Sequence, residues 1–148
     1  MKDSEFKKFQ HNVPNASRIN SKGTNISSVG NYRPDISIKN NDDRVFLVLE
    51  SEHKSDRKAF IGALVHAFKY ADEQKSRLCL VFVMKETGNQ TTVDQVSNNI
   101  RPYYIWLNPI ANVTLTAVYI ISDVEYIASA HANETLLASE FISRCIAL

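Results

Sequence analysis

The segment Val45–Glu52, VFLVLESE, constrains this chain more than any other. A continuous apolar run of strand length, rich in β-branched and large side chains, predicts a central strand covered on both faces. The run ends in Glu50 and Glu52, with Lys54 two residues further on. Strand side chains alternate, so positions 48, 50, 52 and 54 share one face. Carboxylates at the end of a buried strand are costly unless they are hydrated, paired or on a metal. Upstream, Pro34 breaks the chain before Asp35, and Ile36 and Ile38 alternate with Ser37 and Lys39 as in a half-buried strand. Asn40-Asn41-Asp42-Asp43 supplies turn chemistry between the two strands. Residues 33–54, RPDISIKNNDDRVFLVLESEHK, therefore read as a hairpin with Asp35 at its mouth beside Glu50 and Glu52, a candidate site for a hard cation.

The flanking sequence predicts the layers that would cover such a strand. In residues 56–71, Phe60, Leu64, Ala67, Phe68 and Ala71 form one apolar stripe at helical spacing, with Ser55 or Asp56 able to cap the start. His66 and Tyr70 are i, i+4 neighbours on the shoulder of that face. RLCLVFVM, residues 77–84, reads as a second buried strand, followed by a polar stretch from Lys85 to Asn99 with a helical turn near Val93–Val96. YYIWL at 103–107 and VTLTAVYII at 113–121 read as further strands, with Trp106 and the tyrosines as packing residues, although an exposed aromatic could stack on a base. Leu137, Phe141 and Cys145 at fourfold spacing predict a final helix over about 134–146. At the other end, residues 2–10 predict a short helix, while the Asn, Ser and Gly of 11–32 favour a loop or mobile arm. The fold class is α/β, a mixed central β-sheet flanked by helices. Residues 1–148 form a single domain: a basic N-terminal arm over 1–32, the motif-bearing core over 33–84, and C-terminal strands and helix over 85–148.

Charge is uninformative as a total, +1, and informative in its distribution. Residues 1–40 carry seven Lys/Arg against three acids, residues 41–77 balance at seven each, and residues 78–148 carry three against six. A basic segment beside a carboxylate cluster suits a polyanionic substrate, with Arg18, Lys22 and Arg33 as candidate phosphate contacts, although a solvated tail would carry the same charges. The two cysteines, Cys79 and Cys145, make no disulfide framework, and Cys79 lies within an apolar run that suits a buried free thiol. The N-terminus lacks an apolar signal core, and no stretch is long and apolar enough to span a bilayer. The expectation is a cytoplasmic protein with no membrane partner; a module of a larger toxin or restriction system would read the same way. No internal repeat, phosphate-binding glycine loop, dinucleotide fingerprint or Cys/His zinc pattern is present.

Pro34-Asp35, the apolar strand ending in Glu50-x-Glu52-x-Lys54, the helix with His66 and Tyr70, and the strand at 77–84 together resemble the core of the PD-(D/E)xK nuclease superfamily. The resemblance covers about a third of the chain. It implies a restriction endonuclease-like fold and a nuclease hydrolysing phosphodiester bonds with Mg2+ or Mn2+, DNA being favoured over RNA. It also implies that Asp35 and Glu50 bind the metal, with Glu52 beside them. The family usually keeps a lysine where this alignment has Glu52. A second alignment takes Glu52 as ligand and Lys54 as that lysine, and alternation places both sets on one face. Either Lys54 or Glu52 would orient or deprotonate the attacking water. The family's helix often carries a glutamine and a tyrosine four residues apart, which here gives His66 and Tyr70 a supporting role. Glu5 is the N-terminal candidate for a further family glutamate. Many such nucleases act as homodimers. The alternative is a catalytically degenerate member of the fold that binds nucleic acid or a protein partner. A third reading takes the acid-rich strand end as an ordinary solvated surface of an α/β domain.

Overall fold

The computed structural model describes residues 1–52, 56–88, 91–111 and 115–148. Among them the elements follow in chain order: α1 (Asp3–Phe6), β1 (Arg18–Ser21), β2 (Ile36–Lys39), β3 (Val45–Glu52), α2 (Arg57–Gln74), β4 (Cys79–Met84), α3 (Val93–Leu107), β5 (Ala117–Ser122), α4 (Asp123–His131), α5 (Ser139–Ile142) and β6 (Ile146–Ala147). The six strands form one mixed sheet in sequence order. β1, β2 and β3 run antiparallel as a meander, β3, β4 and β5 run parallel, and β6 returns antiparallel at the far edge. The chain is thus α/β, with a mixed six-stranded sheet flanked by helices.

Alternation along the strands explains the two cores. Val48, Leu80, Phe82 and Met84 point to the face covered by α2 and α3, where they meet Phe60, Leu64, Phe68 and Ile100. Leu47, Leu49, Val81 and Val83 point to the opposite face and pack with Phe6, Tyr126, Leu136 and Phe141. β4 is buried along its whole length, as expected of a parallel strand between two helical layers. α2 begins at Asp56, whose carboxylate accepts the Lys58 N–H at 2.9 Å, and ends at Lys75 in the left-handed conformation (φ +50°). Cys79 is a buried free thiol pushed up to about 12 by burial.

Three expectations are corrected. YYIWL is not a strand but the last part of α3. A reciprocal cap between Thr92 and Gln95 starts that helix, and its buried stripe, Val93, Val96, Ser97 and Ile100, has helical spacing that Tyr104 and Leu107 continue. The β propensity of the aromatic run yields to that stripe. Trp106, expected to pack, is 64% exposed because it lies on the outer side of the helix. The C-terminal segment is not one helix. Asn133 and Leu137 take positive φ (+54° and +65°), only Ser139–Ile142 is α-helical, and Ile146–Ala147 pairs with β5. Arg144 fastens this irregular stretch by ion pairs to Glu134 (2.7 Å) and Glu125 (2.6 Å). Finally, residues 11–32 are not wholly irregular, since Arg18–Ser21 forms edge strand β1, tied to β2 through Asn20, Ser21 and the buried Ser37.

The N-terminal segment is stitched to the opposite end of the chain. Asn12 Nδ2 donates to the Asn133 carbonyl at 2.7 Å, and the Leu136 N–H donates to the Asn12 carbonyl at 2.9 Å. His11 is buried against Tyr126 and Phe141, its Nε2 2.6 Å from Ser129 Oγ, and burial brings it down to about 4. This seam places α1 beside the mouth of the β2–β3 hairpin.

Candidate active site at the hairpin mouth

The antiparallel register pairs Ile36 with Leu49, so the residues just beyond them, Asp35 and Glu50, face each other where the hairpin opens. Two backbone bonds lock the pair. The Asp35 N–H donates to Glu50 Oε2 at 3.2 Å, and the Ser51 N–H donates to Asp35 Oδ2 at 2.8 Å. Glu52 lies at the parallel end of β3 opposite Met84, where its carbonyl accepts the Lys85 N–H at 3.1 Å. α1 brings two further groups. Asp3 Oδ1 accepts from Ser51 Oγ at 3.1 Å, and Lys7 Nζ stands 3.4 Å from Asp35 Oδ1.

The electrostatics follow from crowding acids in a part-buried place. Burial is the main cause raising the Glu50 carboxyl to about 7, and repulsion from Asp35 and Glu52 adds to it. Burial likewise raises Glu52 to about 7, followed by repulsion from Asp35, Asp3 and the helix-capping Asp56. The Asp35 N–H works against the shift at Glu50 by hydrogen-bonding the charged form. Two carboxyls titrating near neutrality in one cluster are suited to proton transfer or to relief by a cation.

Tyr32, like Lys7, is a site residue that the sequence did not point to. Among the described residues its buried hydroxyl has no hydrogen-bond partner of ordinary geometry, although it is close enough to Glu50 to favour the carboxylate there. Burial, then the Glu50 charge, raises its own pKa. His66 stacks on Tyr32 with centroids 5.7 Å apart and planes 8° from parallel, and Tyr70 tilts against it at 5.8 Å. The two α2 residues thus reach the site through Tyr32. The only signal in the sequence was the position of Tyr32, three residues before Asp35, in a stretch read as irregular.

The basic candidates separate. Arg18 is at the far end of the hairpin, paired with Asp43 and 3.3 Å from the Asn40 carbonyl. Arg33 is exposed, its Nε on Asn31 Oδ1 at 3.0 Å. Lys22 is near the site, its Nζ donating to the Lys7 carbonyl at 2.8 Å. Lys54 lies outside the described residues. Glu5 caps its own helix, accepting the Lys2 N–H at 3.3 Å.

Whether these residues suit a divalent cation can be judged from their donors. Among the described residues no group of three or more His, Cys, Asp or Glu is gathered to hold a metal ion, so Asp35, Glu50 and Glu52 form no ready three-carboxylate cage. Magnesium, however, is commonly held by one or two carboxylates with waters and substrate phosphates completing its shell. Asp35 and Glu50 are interlocked, and the orphaned Tyr32 hydroxyl borders them. That donor set fits a cation of this kind at the Asp35–Glu50 pair. Among the described residues no helix is long and apolar enough to cross a membrane. Comparisons with family models, curated proteins and solved structures found no match to this chain.

Proposed function

We propose that the chain is a metal-dependent nuclease with a restriction endonuclease-like core, hydrolysing phosphodiester bonds, with DNA as the favoured substrate. The observation that carries this reading is the interlocked Asp35–Glu50 pair at the mouth of an antiparallel hairpin. The surrounding order, a short helix, three antiparallel strands, a long helix and a parallel strand, supports this reading. Asp35 and Glu50 would hold Mg2+ or Mn2+, with Glu52 alongside. When bound, the cation would acidify a water and offset charge on the phosphate and leaving oxygen. Glu52, with a carboxyl near 7, is matched to accept the proton of the attacking water. Tyr32 borders Glu50 and favours its charged form, and His66 and Tyr70 support Tyr32 from α2. Lys22 stands at the site edge as the basic residue best placed to meet a phosphate backbone. A homodimer would have the exposed Ile105, Trp106 and Ile110 at the end of α3 available as apolar surface.

A degenerate, non-cleaving member of the fold is the second reading. It is favoured by the Lys7 ammonium already paired with Asp35 and by Glu52 standing where the family keeps a lysine. Incubating the protein with supercoiled DNA, linear DNA and RNA, with Mg2+ or Mn2+, separates the two. Cation-dependent cleavage that Asp35→Ala and Glu50→Ala both abolish is the outcome expected of the nuclease. Binding without cleavage would favour the degenerate form. Neither binding nor cleavage would leave the acids as surface.

A further inference from the structure

Lys7 reaches the carboxylate cluster from outside the hairpin, and its surroundings hold it there. Its ammonium is 3.4 Å from Asp35 Oδ1, with the lysine side chain 29% and the aspartate side chain 16% exposed. Its carbonyl accepts the Lys22 ammonium at 2.8 Å, and the neighbouring Phe6 is fully buried, so the backbone at this point is anchored on both sides. Gly23 supplies the space. It has φ +82°, and a Cβ at that position would stand 2.9 Å from Lys7 Nζ. Any side chain there would press on the ammonium as well as strain the backbone. Glycine therefore both makes this turn and leaves room for the lysine head.

A divalent cation on Asp35 and Glu50 would face this ammonium across the same carboxylate, and like charges in a part-buried place repel. We propose that Lys7 is an internal counter-cation of the cluster that a divalent cation must displace, the side chain swinging away while its backbone stays anchored. The inference rests on the reading of Asp35 and Glu50 as a cation site. The freed ammonium is then at hand for whatever anion the cation brings.

Mn2+ titration calorimetry at fixed pH and ionic strength tests this with wild type, Lys7→Gln, Gly23→Ala and Asp35→Asn. Lys7→Gln is expected to bind Mn2+ roughly fivefold more tightly, the size of a part-buried ion pair removed. Gly23→Ala should shift in the same direction, and circular dichroism checks that it folds. In wild type, Mn2+ should also raise the acetylation rate of Lys7 severalfold, read by mass spectrometry against exposed Lys58. Unchanged or weaker affinity in Lys7→Gln, with Asp35→Asn still abolishing binding, overturns the counter-cation while the cation site stands. Mn2+ binding that survives Asp35→Asn, or no binding by any form, overturns the site reading and the inference with it.

Discussion

At the scale of single residues, the account makes the site a source of instability at neutral pH. The Glu50 carboxyl lies near 7 in the folded protein against an ordinary 4.5, so between those pH values the folded state keeps a proton that the unfolded chain has released. Stability from Glu50 is therefore present below about 4.5 and is lost as pH rises through about 7, and Glu52 acts in the same sense. His11 opposes them, because a folded pKa of about 4 against 6.5 costs stability as pH falls through that interval. Above about pH 6.5 the imidazole contributes no further change, and the carboxyls dominate. The melting temperature should fall between pH 6 and pH 8. Glu50→Gln should flatten that fall and exceed wild type at pH 8 by about 1–3 kcal/mol, while matching it near pH 5. For a chain of this size that is several degrees by calorimetry. A Glu50→Gln variant less stable than wild type at pH 8 would contradict the assignment. Tyr32→Phe leaves the ring stack on His66 and Tyr70 in place and removes the hydroxyl. It should change stability by less than about 1 kcal/mol, since the hydroxyl makes no ordinary hydrogen bond to lose. The pH dependence should meanwhile move upward, as Glu50 loses a group that favours its charged form.

Among the elements, the hairpin and α2 were legible because each obeys one period. Val45–Glu52 alternates between two buried faces, and Phe60, Leu64, Ala67, Phe68 and Ala71 fall on one helical stripe. α3 was missed because two signals overlapped: YYIWL has strand composition, yet Val96, Ile100, Tyr104 and Leu107 continue a helical stripe through it. Pro102 lies in the interior of α3. Inside the helix it removes one backbone donor, so Pro102→Ala should stabilise the protein by about 1–3 kcal/mol in denaturant unfolding. No gain, or a loss, would mean that the proline ring is itself needed for packing. The C-terminal spacing of Leu137, Phe141 and Cys145 reported burial correctly for Phe141 and conformation wrongly, because positive φ at Leu137 and the Arg144 ion pairs interrupt the helix. β1 gave no pattern to read, being a short and largely exposed edge strand.

For the whole molecule, the pairing of Asp35 with Glu50 could be read from the sequence, whereas Lys7 and Tyr32 could not. Asp35 and Glu50 are linked by a hairpin whose register a turn fixes locally. Lys7 arrives through a seam between the chain's two ends, made by Asn12, His11, Ser129 and Asn133, and no local pattern announces such contacts. A cation held by Asp35 and Glu50 as proposed would bind the folded state alone, so Mg2+ should then raise the melting temperature, and more at pH 8, where Glu50 and Glu52 are charged, than at pH 5.5. An equal shift at both values would place the bound cation elsewhere. The most direct measurement is the anomalous scattering of crystals grown with Mn2+. The account predicts a peak within coordinating distance of Asp35 and Glu50 carboxylate oxygens, with Lys7 Nζ turned off Asp35. A peak at other residues, or none at this pair while Lys7 remains on Asp35, would contradict it.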